Sequence, residues 1–323
     1  WDISTTIYDN IKFNVSSQND WATDIFFKPD GTKMYVLGGA PAIIYQYTLS
    51  QAWNLSTASY DNINYGIANT GNTGIFFKSD GTKMYITDNL DDKIYQHSLS
   101  SAWNLSTASY DNVNFSVASQ DLSPNSLFFK SDGTKIYMVG SSSDRVHQYT
   151  LSQAWNLSTT SYDNINFSVS DQPSGLFFKD DGLKMYVDGI SSDSVYQYTL
   201  SQAWNLSTTS YDNINFSVTS QETNPQGLFF KSDGNKMYMV GYDTDSIYQY
   251  SLGAITSISG TSNSTSWTYT FPAYGTYLYN AYTCDTANNC AFNSTNQTII
   301  ISNATSISLA QSLSVSNTQN KLS

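Results

Sequence analysis

The chain has 323 residues, a net charge of −12 and a single glutamate, Glu222. That acidity argues against nucleic-acid binding, which needs clustered Lys and Arg, and no apolar run nears the roughly 20 residues of a membrane helix. Abundant Tyr, Asn, Ser and Thr, with Asp in place of Glu, excludes a helix-rich protein and fits an all-β extracellular chain. No apolar leader stands at Trp1, so we expect a mature chain.

The first element is a strand within "WDISTTIYDNIKFNV". A second, "FFKPDGTKMYVLG" from Phe26, contains an Asp-Gly hairpin turn, since glycine accepts the positive φ such turns require. Near-copies of it begin at Phe76, Phe128, Phe177 and Phe229. The phrase "AWNLSTASYDN" sets the period: Trp1, Trp53, Trp103, Trp155 and Trp204 fall 49 to 52 residues apart. Such a period suits one four-stranded propeller blade. In the last copy the strands are "GLFFKSD", "NKMYMVG" and "DSIYQYSL", and the fourth is of the "YDNINFSV" type, alternating Ile214, Phe216 and Val218 with polar residues.

The order of pieces predicts closure. The chain opens with a spare fourth strand and stops after a third strand at Leu252. We therefore expect residues 1–252 to form a five-bladed β-propeller, with Tyr8–Val15 completing the last blade. The Asp-Gly turns, the five Trp residues and His97 and His147, which replace tyrosines of other copies, read as scaffolding.

"FFKPDGTKMYV" and "YITDN" resemble the surface-layer type propeller repeat, PDG-x-x-[LM]-Y-V-T-N, and also secreted propeller proteins of microbes and their viruses. The likeness covers Trp1 to Leu252 and implies an extracellular propeller. It implies no reaction.

From Gly253 onward the only charged side chains are Asp285 and Lys321. "YGTYLYNAYTCDTANNC" resembles the last strands of secreted immunoglobulin-like modules, so residues 253–302 are expected to be a small immunoglobulin-like β-sandwich, although only four of about seven strands are evident. Cys284 and Cys290 flank a turn and are expected to form a disulfide, which points to an oxidising compartment. Residues 303–323 alternate Ile307, Leu309, Leu313 and Val315. This tail either supplies a strand to its own sheet or a neighbour's, or is a linker.

Sequons begin at Asn14, Asn54, Asn104, Asn114, Asn156, Asn166, Asn205, Asn215, Asn263, Asn293, Asn296 and Asn303. They are N-glycosylation candidates, or by-products of an Asn/Ser/Thr-rich repeat. The variable loops should share one face of the propeller, bringing Asp20, Trp21, Asp24, Asp121, Asp171 and Glu222 into an acidic funnel for a glycan, cation or basic peptide. The reading favoured over a ligand funnel is plainer: Asp makes good loops, and a charge cluster is usually a solvated face.

No nucleophile elbow, phosphate loop or metal-ligand cluster is evident, and no cofactor or metal is expected. The leading expectation is a non-enzymatic extracellular structural protein that polymerises or docks on a neighbouring surface protein through its C-terminal strands. A lectin-like adhesin is the alternative. A glycosidase relying on Glu222 ranks third.

Overall fold

The computed structural model describes residues 1–39, 42–68, 71–169 and 171–253, and beyond these six strands within 265–311. The chain divides into two compact units, Trp1–Ala254 and Ile255–Ser323.

The first unit is a five-bladed propeller of four-stranded antiparallel sheets. Blade I comprises Ala22–Phe27, Lys33–Gly38, Ile43–Leu49 and Ala58–Gly66. Blade II comprises Asn72–Phe77, Lys83–Asp88, Lys93–Leu99 and Ala108–Ser116, and blade III Pro124–Phe129, Lys135–Gly140, Arg145–Leu151 and Thr160–Ser168. Blade IV comprises Pro173–Phe178, Lys184–Gly189, Ser194–Leu200 and Thr209–Ser217. Blade V takes Pro225–Phe230, Lys236–Gly241 and Ser246–Leu252 from the end of the unit, and its outer strand, Thr6–Asn14, from the beginning. Thr6 pairs with Leu252 and Asn14 with Ser246, which closes the ring as the order of phrases predicts.

The first strands of the blades touch in cyclic order around the axis. Phe26, Phe76, Phe128, Phe177 and Phe229 meet there in a closed pentagon, with centroids 5.1 to 5.4 Å apart and planes inclined by 68 to 72°. Edge-to-face contact places the positive rim of one ring against the negative face of the next. The pentagon therefore divides the axis into two chambers.

The Trp phrase joins neighbouring blades. Trp103 stacks on Phe77 of its own blade and on Phe26 of blade I, and its carbonyl accepts the Tyr35 hydroxyl of blade I at 2.7 Å. Trp1 does the same for the seam, stacking on Phe230 and Phe177 and accepting the Tyr186 hydroxyl. Each Trp lies over an Asp-Gly turn. At Gly31, where φ is +73°, an added Cβ would stand 2.4 Å from the Trp53 ring, so glycine is needed for both conformation and space. Trp53, Trp103, Trp155 and Trp204 themselves hold φ of 63 to 66°, a costly region for a bulky residue, fixed by the bond from the Trp53 amide to the Gly31 carbonyl and its equivalents.

The outer strand is not the plain alternation that the sequence suggests. Its register slips between Tyr8 and Ile11, and likewise in every blade, because Asp-Asn forms a two-residue bulge with the Asn at φ 56 to 58°. The bulge turns the Asp inward. In blade II, Asp111 accepts from Lys83 at 3.1 Å and from Gln96 at 2.7 Å. The Gln96 carbonyl then accepts the Leu157 amide of blade III at 2.9 Å. Every junction repeats this relay, and at the seam Asp9 serves Lys236 and Gln249 while Gln197 receives the Ile3 amide.

In the second unit the described strands form three two-stranded pairs. Tyr282–Cys284 pairs with Cys290–Phe292, Gly275–Tyr279 with Gln297–Ile301, and Thr265–Tyr269 with Ile307–Gln311. The pairs are nested in chain order, as in one long hairpin. Cys284 and Cys290 stand directly opposite in register, as an intra-hairpin disulfide requires. Ile307 and Leu309 pair within their own chain, with Tyr269 and Trp267. Leu313, Val315, Asn263, Asn293, Asn296 and Asn303 lie outside the described residues. Two facing sheets of an immunoglobulin-like sandwich are not among the described pairings.

Candidate functional site

Strand direction sets two faces. The connections from fourth to first and from second to third strands lie at one end of the axis, and the Asp-Gly turns at the other.

On the loop face the acidic residues have structural partners. Glu222, 1% exposed, accepts from the Thr223, Asn224 and Asp243 amides and from the Thr244 hydroxyl at 2.6 Å. Asp121 accepts the Ser123 and Ser143 amides at 2.7 and 2.9 Å. Asp171 accepts the Tyr196 hydroxyl at 3.1 Å. Each enters the space left by a glycine ending a second strand: Gly241, Gly140 and Gly189, with Asn19 doing so at Gly38. Blade II reverses the exchange. Asp88 stands on the strand, Gly71 in the loop, and Asp88 caps the Leu90 and Asp91 amides. These carboxylates are therefore loop staples.

Asp24 occupies the place of Gly74, Ser126, Gly175 and Gly227 of the other first strands. It is buried and accepts the Ile25 and Ile75 amides at 2.8 Å, tying blade I to blade II. Burial pushes its carboxyl well above the usual carboxylate range, against the pull of both amides, and Asp188 adds to the rise. Asp188 accepts from the Ser174 hydroxyl and the Gly175 amide, and burial raises its carboxyl to about 6. The chamber at Asp24 and the pentagon holds about 20 Å³, enough for one water. Asp20 is exposed, and Trp21, 47% exposed, stacks nearly parallel on Tyr242 at 6.3 Å. The structure thus joins Trp21 to Tyr242 and couples Asp24 to Asp188. The remaining predicted site residues stay in separate loops.

The larger cavity lies on the other side of the pentagon, at the turn face. It measures about 330 Å³ and is walled by the pentagon, by the second Phe of the first strands, such as Phe77 and Phe129, and by Trp53, Trp155 and Trp204. Its rim is built from one position of the repeated phrase: Pro29, Ser79, Ser131, Asp180 and Ser232, all exposed. Beside them Lys28, Lys78, Lys130, Lys179 and Lys231 pair with Asp30, Asp80, Asp132, Asp181 and Asp233 at 2.6 to 2.7 Å. Burial pushes the Asp30 carboxyl up, but the Lys28 ammonium and the Thr32 hydroxyl and amide outweigh it and bring it to about 2. Sequence reasoning took this phrase for scaffolding. The available signal was Asp180, a lone acid where other copies carry Pro or Ser.

His97 and His147 face neighbouring tyrosines, not a shared centre. Among the described residues no group of three or more His, Cys, Asp or Glu could hold a metal ion, and no helix is long and apolar enough to cross a membrane.

No protein-family model matches the chain, and no curated protein matches it. Among solved structures it is similar to a functionally unknown protein from Desulfotomaculum acetoxidans, at 12% identity and a TM-score of 0.43 over 68% of this chain. The chain spans about 62% of that protein's length. A putative 6-phosphogluconolactonase from Bacteroides uniformis is 11% identical over 87% of this chain and 72% of its own, with a TM-score of 0.45. The β-propeller domain of Myceliophteria thermophila Cps50 (Swd1) is 7% identical over 77% of this chain and all of its own, with a TM-score of 0.40.

Proposed function

We propose that the chain is a non-enzymatic extracellular structural protein of a surface or appendage, self-assembling through its C-terminal β-strands. The observation that carries this reading is the pairing of the second unit. Among the described residues each of its six strands has one partner and no strand on its other backbone edge. Edges of this kind recruit strands from other chains unless charge or proline blocks them. This region holds only Asp285 and Lys321 as charged side chains. The surface-layer-like phrase, the opposed Cys284 and Cys290 and the exposed Asn114, Asn166 and Asn215 support an extracellular setting. Attachment of loop-face acids to loop backbone supports a structural role over catalysis by Glu222.

The test is sedimentation and negative-stain microscopy of the full chain beside a chain lacking residues 303–323. Polymers from the full chain alone are expected; equal polymers from both, or none from either, overturn the reading. Exposed Trp21, stacked on Tyr242, favours a second reading, a lectin-like adhesin. Glycan-array binding lost on Trp21→Ala would establish it, and an array blank with the wild type would dismiss it.

A further inference from the structure

We propose that the aromatic cup on the turn face is a binding site for a small organic cation, an ammonium or quaternary ammonium on an apolar body. The inference is independent of polymerisation and uses the face opposite the variable loops.

Volume and wall come first. About 330 Å³ falls at the lower end of small-ligand pockets, and the wall is almost wholly aromatic. Phe and Trp rings turned face-on offer a cation their negative faces, whereas a ring edge carries the positive rim and gives only contact to the apolar body. Two Trp rings of the wall already stand beside cations from within the chain: the ammonium groups of Lys78 and Lys231 lie 6.0 Å from the Trp155 and Trp53 ring centroids.

Charge at the rim selects the sign of the guest. The five Lys–Asp pairs cancel one another. Asp180 stands apart from them. Lys179 bonds Asp181, and among the described residues no hydrogen bond or ion pair reaches the Asp180 carboxylate. It is the one acid among the five equivalent rim positions, so it breaks the five-fold equivalence with a negative charge at the mouth of a cavity whose other lining residues are uncharged. Although the residue is exposed, the protein packed around it partly desolvates the Asp180 carboxyl and raises it above the usual range, and Asp181 adds to this while Lys179 opposes it. An arriving ammonium would offset that desolvation. A neutral guest would satisfy the wall and leave Asp180 as it is.

The probes are benzyltrimethylammonium and its uncharged carbon isostere, neopentylbenzene, titrated into the full chain by tryptophan fluorescence and calorimetry. The cation is expected to bind at least about tenfold tighter than the isostere, which corresponds to about 1.4 kcal/mol. Asp180→Ser installs the residue found in three other blades, so the fold is retained, and affinity for the cation should fall about threefold to tenfold. Ser131→Trp, which fills the mouth from another blade while sparing Asp180, should abolish binding. Equal binding of the two probes, unchanged affinity in Asp180→Ser, binding that survives Ser131→Trp, or no binding of the cation at millimolar concentration each overturns the proposal.

Discussion

Replacing His97 by Tyr together with Tyr65 by Phe is expected to remove a defined part of the protein's acid sensitivity. At four blade junctions an outer-strand Phe meets a third-strand Tyr edge-on: Phe13 with Tyr47, Phe115 with Tyr149, Phe167 with Tyr198 and Phe216 with Tyr250. At the junction of blades I and II the pair is Tyr65 and His97, at 5.6 Å and 82°. One partner has gained a hydroxyl and the other has become smaller. His97 is 3% exposed and its Nδ1 has no hydrogen-bond partner among the described residues; burial pulls the imidazole down to about 4, with Asp111 opposing only in part. The unfolded chain therefore binds the proton at higher pH than the folded one. Stability from this site is complete above the ordinary His value of about 6.5 and is lost as pH falls toward 4. The loss is about 2 kcal/mol at pH 5 and about 3 kcal/mol below pH 4, at about 1.4 kcal/mol per pH unit of separation. Asp188 acts in the opposite sense, since its raised carboxyl contributes stability that is full below about 4 and lost as pH rises through about 6. Wild type and double variant share Asp188, so their difference isolates His97. Urea unfolding at pH 7.5, 6 and 5 measures it. His97→Tyr alone should be less stable at pH 7.5, by about 1–3 kcal/mol, because Tyr65 leaves no room for the larger ring, and this deficit should shrink by about 2 kcal/mol at pH 5, where the wild type has lost that much through His97. A double variant whose midpoint falls with pH as steeply as the wild type's would refute the reasoning.

Three further outcomes are expected. Trp1→Ala and Trp103→Ala should each cost about 3–5 kcal/mol by thermal unfolding, since the seam uses the same contacts as an internal junction; a neutral Trp1→Ala would mean the seam is not closed by the N-terminal segment. Gly133→Ala places a Cβ 2.3 Å from the Trp155 ring at φ +74° and should prevent folding, whereas Gly66→Ala, which meets nothing within 4 Å, should melt within a degree or two of wild type. Expressed in a glycosylating host, Asn215 should be occupied ahead of Asn54 by peptide mapping. Asn215 is exposed with no side-chain bond among the described residues, while Asn54 caps a 3₁₀ turn and bonds Gln51; the reverse order would refute this.

The ring was legible because repetition and strand count are both visible in the letters. Five copies of one phrase and one surplus strand leave a closed cycle as the economical solution. The bulge was less legible. Asp-Asn in "SYDN" reads as alternation until the left-handed Asn turns the Asp toward Gln on the next strand and Lys on the strand beyond it. Whether the loop acids are ligands or loop formers is not legible, because sequence displays charge and not its neighbours. Glu222 and Gly241 are 19 residues apart, and only the fold shows that one fills the space the other leaves. The aromatic cup was hidden for the converse reason, since each blade contributes ordinary Phe residues and one rim residue, and the cavity exists only once five copies face inward.

The seam has one more implication. At an ordinary junction three residues, Ser50 to Ala52, carry the chain from Leu49 to Trp53. At the seam, Leu252 lies opposite Thr6 and the Gly253 amide reaches the Thr5 carbonyl at 3.4 Å, so the missing link spans a short gap. Supplying Ser-Gln-Ala between Leu252 and Trp1 and opening any other of the five links would give a circular permutant of the propeller with the same sheet pairings. Where this ring starts is then a matter of the gene's history, and its physics is indifferent to the choice.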